Sequence, residues 1–176
     1  QQSYSDIVFL KSIGTDTITN SINKIVEEES VNIVITGTSG KQGLRELILG
    51  SSSYQILKGV NCSVLMMPEN CKQYKFEKIL VPVRVLEKLN EKLEISKLIA
   101  EKNKGFISLF GISGDDNFTT IRRAFIKIRE SLKGSETEHY ASFTVSNDKA
   151  VEISKASKDA EFDLIILNYQ DEESWK

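Results

Sequence analysis

The sequence predicts an α/β protein with a parallel β-sheet and helices on both of its faces. Short apolar, β-branched runs alternate with longer segments whose apolar residues recur at helical spacing. The run VNIVIT (31–36) lacks polar alternation, which is typical of a strand buried on both faces. Because strands and helices alternate along the chain, we expect right-handed crossovers between parallel strands.

Each element has its own local signal. Strands are predicted where apolar runs end at turn residues, and helices where a capping residue precedes apolar residues three or four apart. The predicted strands are 5–13, 31–36, 62–68, 76–83, 106–112, 138–146 and 163–169. The predicted helices are 16–30, 51–60, 85–105, 119–134 and 148–160, with caps at Asp16 or Thr17, at the serines after Gly50, and at Asp148.

Composition excludes several classes of function. The formal net charge of the 176 residues is −2, with both signs interspersed, which does not favour nucleic-acid binding. The apolar runs are too short for direct membrane insertion. Two cysteines and one histidine argue against a zinc site, and few cysteines suit a reducing, cytoplasmic location. The chain starts with Gln1 rather than Met, so we expect it to be a processed or trimmed piece of a protein that is longer at both ends.

The most informative stretch is a glycine pattern that follows the buried strand. Gly37, Gly40, Gly50 and Ser51 are spaced as G-x2-G-x9-G-S, which is neither a Walker A loop nor a dinucleotide-binding fingerprint. Gly37 and Gly40 can adopt positive φ and let a ligand approach the backbone, while Gly50 and Ser51 stand at a helix N-terminus that favours phosphate. Lys41 can add charge. The alternative interpretation is two ordinary turns.

An internal repeat divides the chain. A shift of 131 positions places 31–37 on 162–168, and the preceding helices then align without a gap, with Ile22 on Ile153. The sequence of the first copy begins at the third strand of the repeated unit, and that of the second copy ends after the fourth strand. We therefore predict residues 1–69 as the C-terminal half of a first unit, 70–75 as a linker, and 76–176 as the N-terminal part of a second unit.

Residues 31–69 resemble the universal stress protein family, whose members carry G-x2-G-x9-G-S/T followed by a strand similar to 62–65. Residues 78–83 and 163–167 resemble its first and fourth strands. The resemblance implies a Rossmann-like fold of two incomplete tandem units, paired within one chain or as a homodimer through the last strand. It also implies that ATP, with Mg²⁺ or Mn²⁺, binds to the first unit. The implied cofactor-binding residues are Gly37, Gly40, Lys41, Gly50, Ser51 and Ser52.

Two departures from the family pattern concern the second unit. Arg84 stands where nucleotide-binding members carry Asp, and Asn168 and Asp171 replace the residues equivalent to Gly37 and Gly40. We therefore expect the second unit to bind no nucleotide. No catalytic residues are predicted, because no nucleophile, base and acid occur in a recognisable arrangement. At most, the chain would hydrolyse ATP slowly.

Three functions follow from these observations. The first is an ATP-binding module for stress response or signalling. The second is the cytosolic regulatory domain of a membrane transporter, whose membrane part lies outside this sequence. The third is an interaction protein that binds no nucleotide, which Arg84 and Asn168 favour.

Overall fold

A computed structural model describes residues 7–38, 51–68, 71, 75–84 and 88–168. The chain forms two compact units, Gln1–Cys71 and Lys72–Lys176. Every strand pair among the described residues is parallel, and helices occur between the strands. The predicted α/β fold with parallel sheets is therefore confirmed.

The first unit contains two helices and a two-stranded parallel sheet. Its elements are α1 (Ile18–Glu28), β1 (Ile33–Thr38), α2 (Ser51–Gly59) and β2 (Ser63–Pro68). The register places Ile33 opposite Ser63 and Thr38 opposite Pro68. The Asn23 side chain joins α1 to the α2–β2 turn, because it donates to the Gly59 carbonyl and accepts from the Asn61 N–H.

The strand predicted for residues 5–13 is wrong over its described part. Residues 7–13 have no regular secondary structure. Their apolar side chains are exposed, reaching 85% at Phe9. An apolar, β-branched run forms a strand only when a neighbour accepts its hydrogen bonds, and the described sheet of this unit has only β1 and β2.

The second unit is built around a four-stranded parallel sheet with the order β5-β4-β3-β6. Its chain order is β3 (Lys78–Val83), α3 (Leu89–Asn103), β4 (Phe106–Ser113), α4 (Phe118–Leu132), β5 (His139–Val145), α5 (Lys149–Asp159) and β6 (Leu164–Ile165). The chain moves outward from β3 to β5 and then returns to the other edge of β3. The direction of winding therefore reverses between β3 and β6.

Two apolar clusters cover the two faces of this sheet. The larger one joins β3 and β4 to α3 and α4 through residues such as Val81, Leu93 and Phe125. The smaller one joins the opposite face to α5 through Leu80 and Ile153. The residues from Ile79 to Val83 are all buried, as a central parallel strand requires.

The internal repeat is visible in the local structure. Helices α1 and α5 start and end 131 positions apart, and each is capped by a side chain, Thr17 or Asp148, that accepts from the N–H three residues later. After each helix one residue, Ser30 or Glu161, adopts positive φ. The same helix–turn–strand element therefore occurs in both units, whereas two tandem copies of a whole domain stay a prediction.

Several boundaries differ from those predicted. The described part of α3 begins at Leu89 rather than at 85. Its helical spacing predicts that Leu98 faces the core, but Leu98 is 54% exposed. The last strand is limited to two residues, although the Ile166 N–H still donates to the Leu80 carbonyl. Among the residues that the structure describes, no helix is both long and apolar enough to cross a membrane.

Gly105 follows α3 at a position where the backbone passes close to another segment of the chain. The left-handed residue is Lys104, with φ 55°. A Cβ at Gly105 would lie 2.2 Å from the Glu77 carbonyl oxygen, because the backbone there passes against the chain that enters β3. Glycine is therefore required at this position for a close backbone approach.

We expect Gly105→Ala to lower the free energy of unfolding by roughly 1–3 kcal/mol, because backbone must move to admit the methyl group. Gly134→Ala is the matched control, since no described heavy atom lies within 4 Å of a Cβ there. Urea denaturation of both variants measures the difference. Equal unfolding midpoints for the two variants would contradict the assigned role of Gly105.

Candidate functional site

The candidate site of the first unit lies at the carboxyl end of β1. Gly37 is the fifth residue of this strand and pairs with Met67. No described glycine has positive φ, so Gly37 does not use the left-handed conformation that glycine allows. No described heavy atom lies within 4 Å of a Cβ built on Gly37. The absent side chain therefore leaves space beside the strand end.

Helix α2 begins next to this strand end. It starts at Ser51, and the Ser53 hydroxyl donates to the Gly37 carbonyl oxygen over 3.4 Å. Ser53 is buried, whereas Ser52 is exposed. The bond brings the first turn of α2 close to Gly37. The first-turn N–H groups of a helix lack intrahelical acceptors, and they favour anions.

The predicted site residues are only partly located by the structure. Gly37 and Ser52 are described, and Ser51 is described as the first residue of α2. Gly40, Lys41 and Gly50 lie outside the described residues. Sequence reasoning missed Ser53, although its position in a serine run at a helix start was a signal.

The second unit has a different set of side chains at the carboxyl ends of its strands. Arg84 follows β3 directly, and Asn168 follows β6. Arg84 is 5% exposed, and Lys92 on the first turns of α3 is 6% exposed. The Lys92 ammonium group donates to the Pro82 carbonyl oxygen over 2.5 Å. Sequence reasoning missed Lys92, because helical spacing alone does not show a charged residue turned towards a strand end.

The environment of Lys92 disfavours its charged form. Burial, and secondly the positive charge of Arg84, lower the pKa of the Lys92 ammonium group to about 8. None of the ion pairs found between described residues includes Lys92. The amine is still mostly protonated at pH 7. It is thus a buried cation whose described acceptor is a backbone carbonyl.

Other reactive residues form no assembled site within the described ranges. The ring of His139 hydrogen-bonds to the Thr137 carbonyl, 3.3 Å from Nδ1. Burial raises the pKa of the Cys62 thiol, against the opposing effect of a Val34 backbone hydrogen bond. Cys62 is thus not an activated nucleophile. In the described part of the chain, no group of three or more His, Cys, Asp or Glu residues is placed to hold a metal ion.

Part of the chain matches the model of a known protein family. Residues 12–68, about a third of the chain, match the universal stress protein family. Two universal stress proteins of Methanocaldococcus jannaschii are similar to parts of this chain. One is 32% identical over 54 residues, which cover 31% of this chain and 32% of the relative. The other is 44% identical over 46 residues, which cover 26% and 28%. The alignments thus span about a third of these relatives or less.

Solved structures support the fold over a larger part of the chain. A universal stress protein from Archaeoglobus fulgidus superimposes with a TM-score of 0.63 at 17% identity, covering 84% of this chain and 53% of that one. A protein of unknown function from Pseudomonas aeruginosa gives a TM-score of 0.63 at 13% identity, covering 91% and 61%. The resemblance to universal stress proteins stated from the sequence is confirmed.

We expect Lys92→Met to raise the free energy of unfolding at pH 7, because it removes a buried charge. In the wild type this free energy rises, relative to the variant, between pH 8 and 10.5. Over that interval the unfolded chain holds the Lys92 proton and the folded chain does not. The full change is about 3 kcal/mol.

Urea denaturation at pH 7 and at pH 10 measures this difference. Lys102→Met is the control, because Lys102 is exposed on the same helix. The free energy of unfolding of the control should differ from that of the wild type by the same amount at both pH values. If the free energy of unfolding of Lys92→Met exceeds that of the wild type by the same amount at pH 10 as at pH 7, burial of the charge is not the cause of the difference.

Proposed function

We propose that residues 12–68, the segment that matches the universal stress protein family, bind ATP. In this proposal the protein is a cytoplasmic module whose nucleotide occupancy controls a stress-response or signalling partner. The observation that carries the proposal is the space that the described residues leave at Gly37, at the carboxyl end of a parallel strand and beside the start of α2. Ligands of open α/β sheets bind in this position.

The proposed mechanism is phosphate binding by backbone and hydroxyl groups. The first turn of α2 offers N–H groups and the positive end of its dipole, and Ser52 offers an exposed hydroxyl group. Gly37 lets a ligand approach β1 without a side chain in the way. Gly40, Lys41, Gly50 and Ser51 complete the motif in sequence. Mg²⁺ or Mn²⁺ would offset the charge of the phosphates, and no group transfer is part of the proposal.

Gly37→Val tests the site directly. We expect at least a tenfold loss of ATP affinity, because the valine side chain would fill the space at the strand end. The fold should be kept, since a β-branched residue suits a strand and no described atom is close enough to clash. Calorimetric titration of ATP, with and without Mg²⁺ or Mn²⁺, measures the affinity, and circular dichroism checks the fold.

The control is Gly134→Val, the same substitution in the second unit at a position with equal space around it. It should bind ATP as the wild type does. Unchanged ATP affinity in folded Gly37→Val would mean that the glycine motif forms turns only, as in the alternative interpretation. The protein would then be better described as an interaction protein without a nucleotide.

We further propose that two copies of the first unit pair through β2. Among described residues β2 is hydrogen-bonded only to β1, so its second edge is available to a neighbour. Val64 and Met66 lie half-buried in the middle of this strand. We expect Val64→Lys to weaken self-association, because charged side chains on an edge strand oppose edge-to-edge pairing.

Sedimentation velocity over a range of concentrations measures this effect. Val64→Thr is the control, since threonine keeps the β-branched shape and adds no charge. If Val64→Lys and the wild type sediment alike at all concentrations, pairing through β2 is wrong.

A further inference from the structure

Strand β5 forms one outer edge of the sheet in the second unit. Among the residues that the structure describes, β5 is hydrogen-bonded only to β4, so its other edge carries a row of backbone groups without a described neighbour. Ala141 and Ser142, in the middle of the strand, are exposed. Backbone groups on such an edge can pair with a further strand.

Strand β5 lacks the features by which edge strands usually oppose pairing. Such strands are often very short, or they carry charged side chains, proline or a bulge. Strand β5 has seven residues, HYASFTV, and none of them is Lys, Arg, Asp, Glu or Pro. Its register against β4 runs from His139 to Val145 without a skipped residue, so it contains no bulge. Nothing in the strand itself therefore opposes a neighbour on its outer edge.

The hydrogen bonds to β4 show which backbone groups of β5 point outwards. The Glu138 carbonyl accepts from the Ile107 N–H, and the Ser146 N–H donates to the Ser113 carbonyl. Residues at even positions therefore bond to β4. Because successive residues of a strand direct their backbone groups to opposite edges, the N–H and C=O groups at the odd positions of β5 point away from the sheet.

We propose that β5 pairs in antiparallel orientation with β5 of a second copy of this chain, around a two-fold axis at Ser142. In this register Ser142 lies opposite Ser142 of the second copy. Ala141 lies opposite Phe143, and Tyr140 opposite Thr144, of the other copy. Antiparallel strands exchange hydrogen bonds at alternate pairs of residues. Here those pairs are formed by odd-numbered residues, which are the ones whose backbone groups point outwards.

The side chains of β5 suit pairing of the strand with itself. An interface around a two-fold axis requires every position to be compatible with the residue opposite it in the other copy. The small Ala141 would lie beside Phe143, whose ring packs against Phe118 and Phe125 of α4 and is still only half-buried. No two charges of like sign would face each other, because β5 contains no Lys, Arg, Asp or Glu. A second copy is therefore the occupant that the strand itself favours.

Sedimentation velocity of the whole chain over a range of concentrations tests the proposal. Val64→Lys is the starting variant, because it weakens the separate pairing proposed for β2 of the first unit and leaves β5 unchanged. We expect Val64→Lys to form dimers in an equilibrium that shifts with concentration. A Val64→Lys chain that stays monomeric at every concentration would overturn the proposal. Dimers of Val64→Lys that match those of the wild type would reject pairing through β2 and support pairing through β5.

Ala141→Pro, added to Val64→Lys, locates the interface. Proline removes an outward-pointing N–H group, and an edge strand tolerates it where that group faces solvent, so the ladder to β4 should be kept. We expect dimerisation to weaken about tenfold or more. Ala141→Ser is the matched control, since serine keeps the N–H group and adds no charge. Equal dimerisation of folded Ala141→Pro and Ala141→Ser, with circular dichroism as the check of folding, would overturn the proposal.

Ala141→Lys repeats this test without a change in the backbone. Residue 141 is exposed, so the variant should fold as the wild type does. The lysine would place a charge beside Phe143 of the second copy, and we expect the same weakening of dimerisation. Dimers of Ala141→Lys as stable as those of Ala141→Ser would contradict pairing through β5.

A cross-link tests the register. Ser142→Cys, in a chain that also carries Cys62→Ser and Cys71→Ser, places one thiol opposite its counterpart in the second copy. The Cα atoms of such a pair are about 4.5 Å apart, which suits a disulfide. Mild oxidation should therefore give a covalent dimer. Tyr140→Cys is the control, because its counterpart would lie about 14 Å away along the strands. Failure of Ser142→Cys to cross-link faster than Tyr140→Cys would overturn the proposal.

Discussion

The second unit depends on the burial of β3. This strand is hydrogen-bonded to β4 on one edge and to β6 on the other, and apolar clusters cover both of its faces. Such a strand requires helices on two sides, which α3 and α4 provide on one face and α5 on the other. It also requires that polar residues appear only at its ends. Every residue of β3 from Ile79 to Val83, Pro82 included, is apolar, and Arg84 is the first polar residue after the strand.

One helix–turn–strand element serves different purposes in the two units. In the second unit, Leu164 and Ile166 pack against the larger apolar cluster. The equivalent residues of the first unit, Ile33 and Ile35, are 39% and 65% exposed. The carboxyl ends differ as well, with a glycine and a serine-rich helix start in one unit and buried cations in the other. Similar backbone geometry thus ends in two different sets of polar groups.

Much of the fold was predictable because its signals are local. Helices α1 and α5 begin at the capping residues Thr17 and Asp148. Helix α4 is indicated by the helical spacing of Ile121, Phe125 and Ile128. These signals involve residues only a few positions apart. Non-local requirements were not predictable. Whether residues 7–13 form a strand depends on a neighbouring strand, and the need for Gly105 arises from a backbone 28 positions away in sequence.

The candidate site residues also divide into those with a local sequence signal and those that only the tertiary structure identifies. Gly37 stands out in sequence because it directly follows an apolar, β-branched run and opens a spaced glycine pattern, and the structure adds the space around it. Lys92 does not stand out, since charged residues are common on helices. Its significance depends on α3 lying against the end of β3, which only the tertiary structure shows.

The two-stranded sheet of the first unit has a consequence for the dynamics of the chain. Amide protons of β3 are hydrogen-bonded inside a covered four-stranded sheet, so we expect them to exchange with solvent only when the second unit unfolds. Strands β1 and β2 share a single ladder, and β1 carries exposed apolar side chains. Local opening of that ladder is enough for its amides to exchange. The second unit is thus expected to exchange slowly and the first unit to open readily. A nucleotide bound at β1 would slow amide exchange in the first unit alone.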